Sequence, residues 1–190
     1  MLTDAPPRKR NLKYFVESDR LITLPLPPDD RFPRIAACIE SAMRAGRMQE
    51  IGRASEEFLN VACDFFGVSR CAVRALAARP LRVRENSTTE LFGDYHPNTV
   101  LIRVWTRTAV RKEITSFGTF LSTLCHEFCH HLDFQRFGFR DSWHTRGFYE
   151  RTAALYHHSK GTPRKPLIWI PVRGRRWRLD WSRTNQARSH

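Results

Sequence analysis

Residues 115–138 read Thr115-Ser116-Phe117-Gly118-Thr119-Phe120-Leu121-Ser122-Thr123-Leu124-Cys125-His126-Glu127-Phe128-Cys129-His130-His131-Leu132-Asp133-Phe134-Gln135-Arg136-Phe137-Gly138. Phe117, Phe120, Leu121, Leu124, Phe128 and Leu132 recur at helical intervals, which predicts an amphipathic helix with one core face. Thr115 or Ser116 supplies its N-cap, and Gly138 ends the run after Phe137. Within the helix stands H-E-x-x-H, from His126 to His130. A helix turns once every 3.6 residues, so positions four apart share a face and two imidazoles can meet one metal ion. Glu127 lies beside that pair, where a carboxylate can take a proton from a water in the metal's open position. Thr119, Thr123 and Asp133 fall on the same side, flanking the apolar stripe.

A catalytic zinc commonly takes three protein ligands and keeps one position open. The third is sought downstream. His131 lies about 100° round the helix from His130 and points elsewhere. A metzincin would place a histidine six residues after the second, but Arg136 occupies that position. His144, after the turn-like Gly138-Phe139-Arg140-Asp141-Ser142, and Glu150, on a following helix as in a thermolysin-like site, remain as candidates.

The segment Trp143-His144-Thr145-Arg146-Gly147-Phe148-Tyr149 carries a resemblance that favours His144. From about Tyr95 to Tyr156, a third of the chain, the sequence resembles the SprT-like metallopeptidase domain of bacterial SprT proteins and the eukaryotic protease Spartan. That family has H-E-x-x-H followed some fifteen residues later by a histidine that opens a new helix. Gly93-Asp94-Tyr95-His96-Pro97 resembles its hairpin turn, and Thr99 to Val104 the strand preceding the motif helix. The resemblance implies Zn²⁺ held by His126, His130 and His144, with Glu127 as catalytic base and a protein or peptide as substrate. One feature departs from many relatives: Cys38, Cys63, Cys71, Cys125 and Cys129 contain no C-x-x-C pair, so no zinc ribbon is expected.

The remaining chain sets the frame. With 190 residues and 41% hydrophobic content it can bury one good core. Residues 1–30, with five prolines around Arg8-Lys9-Arg10, read as a poorly ordered basic segment. Residues 31–159 read as the metallopeptidase domain. Two amphipathic helices are expected there, about Arg34–Gln49, burying Ile35, Cys38, Ile39 and Met43, and about Ile51–Phe66, ending at Gly67. Strand-like patterns follow around Cys71–Leu76, Leu81–Val83 and Val100–Trp105. The expected fold is therefore α+β and zincin-like: N-terminal helices, a small sheet on the metal helix, and a following helix carrying the third ligand. No signal peptide or membrane-spanning stretch is read, and five unpatterned cysteines fit reduced thiols, so a cytoplasmic setting is expected.

Residues 160–190 hold nine Lys or Arg against one Asp, a net of +8, compared with +5 for the 159 residues before them. Leu167 to Val172 and Arg176 to Trp181 flank Arg173-Gly174-Arg175, predicting a basic β-hairpin with Trp177, Leu179 and Trp181 on one face. Arginines interleaved with aromatics suit a nucleic-acid partner; the plainer reading packs the tryptophans on the main domain. The function expected is thus zinc-dependent peptide hydrolysis, on proteins associated with nucleic acid. The rival is a nucleic-acid-associated binding protein whose metal site is structural. Tyr95, His96 and Tyr149 are candidates to stabilise an oxyanion, Asp133 to orient an imidazole, His131 to pack, and His157 and His158 to sit at a helix end.

Overall fold

The computed structural model describes residues 1–84 and 87–187. Helices come first: α1 at Leu12–Arg20, α2 at Arg31–Arg44 and α3 at Met48–Phe66. Pro33 falls in the first turn of α2, where its missing N–H has no intrahelical partner to lose, so the helix starts three residues before the expected Arg34. Gly46 adopts a left-handed φ of 67° and stops α2 short of Gln49. Cys38, expected in the core, is exposed on α2. Gly67 closes α3 in the same left-handed conformation, φ 64°, with Val68 N–H donating to the Cys63 carbonyl at 3.0 Å.

Strands β1 (Ala72–Ala78), β4 (Gly93–His96) and β5 (Leu101–Arg107) form a sheet of order β1-β5-β4, and β2 (Leu81–Arg84) pairs with β3 (Ser87–Glu90) beside it. Strand β5 is central: parallel to β1, antiparallel to β4, with Ile102, Val104, Trp105 and Thr106 buried. Gly93–His96, expected as a turn, is the edge strand β4 instead. The chain reverses after it, through Pro97 to Val100, whose φ is 48°. Gly93 permits a close approach, because a Cβ there would lie 2.5 Å from Thr123 Cγ2 and 3.0 Å from Glu127 Cγ. The edge strand therefore lies directly against the motif helix.

That helix, α4, spans Phe117–Gln135, and Ser116 caps it by accepting from Thr119 N–H at 3.2 Å. Helix α5 spans Arg146–Lys160, capped by Thr145, whose Oγ1 accepts from Phe148 N–H at 3.0 Å. Phe32, Phe58, Phe66, Leu121, Leu124, Phe128, Phe148 and Leu155 fill one core shared by α2, α3, α4, α5 and the sheet. Described residues thus form a mixed α+β fold with six helices and small sheets. None of the helices is long and apolar enough to cross a membrane.

Within residues 1–30, helix α1 packs into this fold. Phe15 and Ser18 of α1 are buried, and Gly147 at the start of α5 sits so close that an added Cβ would lie 2.0 Å from the Ser18 carbonyl oxygen. The buried Arg151 guanidinium donates to the Ser18 and Leu21 carbonyls at 3.1 and 2.6 Å. A short amphipathic helix closed by an interior arginine leaves no mark in proline content or charge.

The expected basic hairpin forms as β6 (Trp169–Val172) and β7 (Arg176–Leu179), turning through Gly174 and Arg175, both with positive φ. Trp181 does not extend β7; it opens the short helix α6, Trp181–Gln186, for which the Asp180 side chain is the N-cap. Residues 1–3 pair alongside β7: Thr3 N–H donates to the Trp177 carbonyl at 2.8 Å and Leu179 N–H to that of Met1 at 3.1 Å.

Candidate metal centre

His126 and His130 stand one turn apart on α4, and His144 arrives from the loop just before the Thr145 cap of α5. His126 Nε2 lies 3.0 Å from His144 Nε2 and 3.2 Å from His130 Nε2. The three imidazoles offer nitrogen donors all within 4.8 Å of one another, a group able to hold a metal ion. Burial pushes the His126 imidazole down to about 3 and that of His130 well below its ordinary value, in each case helped by the neighbouring histidines. Both rings are therefore neutral near pH 7, the protonation state that a metal requires.

Two of the rings are aimed by partners behind them. His130 Nδ1 lies 2.7 Å from Ser142 Oγ, and Ser142 donates in turn to Asp133 Oδ2 at 2.8 Å. With the hydroxyl proton committed to the carboxylate, Ser142 accepts from Nδ1–H, which leaves the Nε2 lone pair facing the cluster. Asp133 is itself fixed by Arg151, whose Nη2 donates to Oδ1 at 2.8 Å. Burial lifts the Asp133 carboxyl to about 6 against the pull of Arg151 and Ser142. The proposed orienting role of Asp133 is thus reached through Ser142, held at a strained φ of 41°. His144 is aimed by Asp4: its backbone N–H donates to Asp4 Oδ2 at 2.8 Å, and its Nδ1 lies 3.4 Å from the same oxygen. The adjacent imidazole holds the Asp4 carboxyl below its ordinary value.

Glu127 lines a cleft of about 400 Å³ together with His130, His144, Asp94 and Tyr95. It is buried, and burial, reinforced by the charge of Asp94, raises its carboxyl to about 8. Among the oxyanion candidates, Tyr95 lines this cleft, with its hydroxyl 3.0 Å from His131 Nδ1. Tyr149 instead stacks on His144 at 5.8 Å and donates to the Leu2 carbonyl at 3.4 Å. His96 Nε2 sits 3.2 Å from Asp94 Oδ1. His131 is structural: buried, it bridges Tyr95 and the Ser69 carbonyl, 2.9 Å from Nε2. His157 and His158 lie in the last turn of α5, where their carbonyls accept the closing N–H groups of Thr162 and Gly161.

Glu150 takes no part in the cluster; Arg164 pairs with it and Trp169 Nε1 donates to it at 3.4 Å. Cys129 is a buried filler, its thiol pushed up to about 12 by burial. The tryptophans of β6 and β7 are half-buried, whereas Trp181 is 50% exposed. Trp169 meets Tyr149 at 5.8 Å, and Trp177 is covered by the Arg146 guanidinium at 4.2 Å.

Asp4, Ser142 and Arg151 were not legible as site residues. Each acts across a sequence gap that no helical or strand period spans. The turn ahead of His144 was the nearest signal, since it had to place a histidine. Comparison of the chain with protein-family models, curated proteins and solved structures finds no match.

Proposed function

We propose that this protein is a zinc-dependent metallopeptidase with a zincin-like, SprT-like domain. The observation that carries the reading is the convergence of three imidazoles on one point, with two of them, His130 and His144, lining the same cleft as a buried glutamate. With His126 Nε2 3.0 and 3.2 Å from the other two donors, one zinc ion could be reached by all three nitrogens at its usual bond length of about 2.0–2.1 Å. When bound at His126, His130 and His144, zinc supplies Lewis-acid polarisation of a carbonyl and acidifies water. Glu127 accepts the proton of the attacking water and returns it to the departing amine. Asp133, acting through Ser142, and Asp4 hold their imidazoles in the ligating orientation. The edge strand β4 lies against α4 beside Glu127, where an extended peptide can run past the base.

The rival, a structural metal in a nucleic-acid-associated binding protein, calls for a fourth protein ligand. Asp133 is tied to Arg151 and Ser142, and Glu150 to Arg164 and Trp169. Among the described residues the cluster holds three donors, which favours an open fourth position and hence catalysis. The basic extension keeps its appeal for acidic partners, including nucleic acid near the substrate, although Trp169 and Trp177 are packed rather than presented for stacking.

Purified protein is expected to carry one equivalent of zinc by elemental analysis, lost in His126→Ala, together with zinc-dependent cleavage of an unfolded protein substrate. A wild-type protein that binds no zinc after incubation with the metal would refute the reading. Asp4→Ala is expected to weaken zinc binding about 10- to 100-fold in a chelator competition, because His144 loses the carboxylate behind it. Equal affinity in that variant would show that Asp4 merely anchors the strand.

A further inference from the structure

Two cavities meet at the histidine cluster. One is the polar cleft containing Glu127, His130 and His144. The other, about 290 Å³, has His126 in its wall. Ser122 and His126 of α4 form part of its wall, and Tyr149 and Ala153 of α5 another. Leu167 and Trp181, from the C-terminal extension, supply much of the rest. His126, whose Nε2 is 3.0 and 3.2 Å from the other two ligating nitrogens, thus belongs both to the cluster and to the wall of this second cavity.

We infer that the second cavity is the specificity pocket of the peptidase, and that it takes one large uncharged side chain, aromatic or branched aliphatic, adjacent to the bond cleaved. The inference rests on the metallopeptidase reading and names the substrate class of that site. Three observations carry it. Its volume lies just below the range of small-molecule pockets, about 300–1,000 Å³, which suits one side chain better than a whole ligand. Its walls are mostly apolar, so burial of an apolar side chain supplies the affinity. The fixed charge in the wall is Lys165, whose ammonium donates to the Asn185 carbonyl at 3.3 Å, so a lysine or arginine side chain would meet like charge there. The basic extension thereby gains a role that its charge did not announce. Tyr149, stacked on His144 and in tilted contact with Trp169, joins the extension to the metal ligands.

The experiment compares two zinc-directed probes on the zinc-loaded full-length protein by calorimetry: acetohydroxamate, and 3-phenylpropionohydroxamate, which adds an aromatic side chain. The aromatic probe is expected to bind about tenfold to a hundredfold more tightly. In Ala153→Trp, which fills the cavity from α5, the two probes should bind alike. Ser122→Trp fills it from an exposed position on α4 and should act the same way if the first variant folds poorly. Equal binding of both probes to the wild-type protein overturns the pocket and leaves the metal reading standing. A preference that survives both tryptophan variants overturns it too, since the ring would then lie elsewhere. Failure of both probes to bind counts against the metal reading itself, and the pocket falls with it.

Discussion

Glu127→Gln is expected to bind zinc within about threefold of the wild-type affinity and to lose peptide hydrolysis by roughly 100-fold to 10,000-fold. The size of the loss follows from what the substitution changes. Glutamine matches glutamate in volume, so the packing of the buried side chain against Gly93 and Thr123 survives. None of the three imidazole donors is touched. What disappears is the ability to accept a proton from the attacking water and hand it to the leaving nitrogen. Burial favours the neutral form of Glu127 in the metal-free protein, lifting its carboxyl to about 8, and the uncharged amide is therefore well tolerated in folding. Parallel measurement of zinc content and of cleavage separates the two effects. If the variant cleaved at the wild-type rate with its zinc intact, Glu127 would not be the base.

Arg151→Met is expected to lower stability by about 3–5 kcal/mol, read from denaturant unfolding of the metal-free protein. Arg151 is 1% exposed and Asp133 not at all, so removing the guanidinium strands a carboxylate in the core. The Ser18 and Leu21 carbonyls lose their donor as well, which weakens the link between α1 and α5. Arg151→Met combined with Asp133→Asn should recover part of the loss, because the uncompensated charge is gone. A single variant within 1 kcal/mol of wild type would mean that Asp133 is protonated in the native state, which the rise of its carboxyl to about 6 makes chemically accessible. The same pair reaches the site: Asp133 fixes Ser142, and Ser142 fixes the His130 ring. Zinc binding in the double variant is expected to stay below wild type even where stability is regained.

Readings anchored in local periodicity match the structure best. The helix through His126 and His130, the Ser116 cap, the long helix ending at Gly67 and the Arg173-Gly174-Arg175 turn all rest on interactions within a few residues. Where the sequence misled, longer-range forces decide. The second helix begins at Arg31, three residues before the expected Arg34, and Gly93, expected in a bend, marks close approach of strand and helix. Prolines and the basic cluster hid the helix in residues 1–30, whose contacts with α5 lie more than 120 residues away in sequence.

Sequence by itself determined the paired imidazoles and their glutamate, because a helical repeat converts a spacing of four residues into one shared face. It left His144 and Glu150 as competing third donors. Tertiary structure alone brought His144 to the pair, gave Glu150 to Arg164, set Asp4 and Ser142 behind two of the rings, and turned the charged extension into a wall beside His126. The physical reason is that side chains distant in sequence meet only where packing of the core closes the loops between them, and no local pattern encodes that closure.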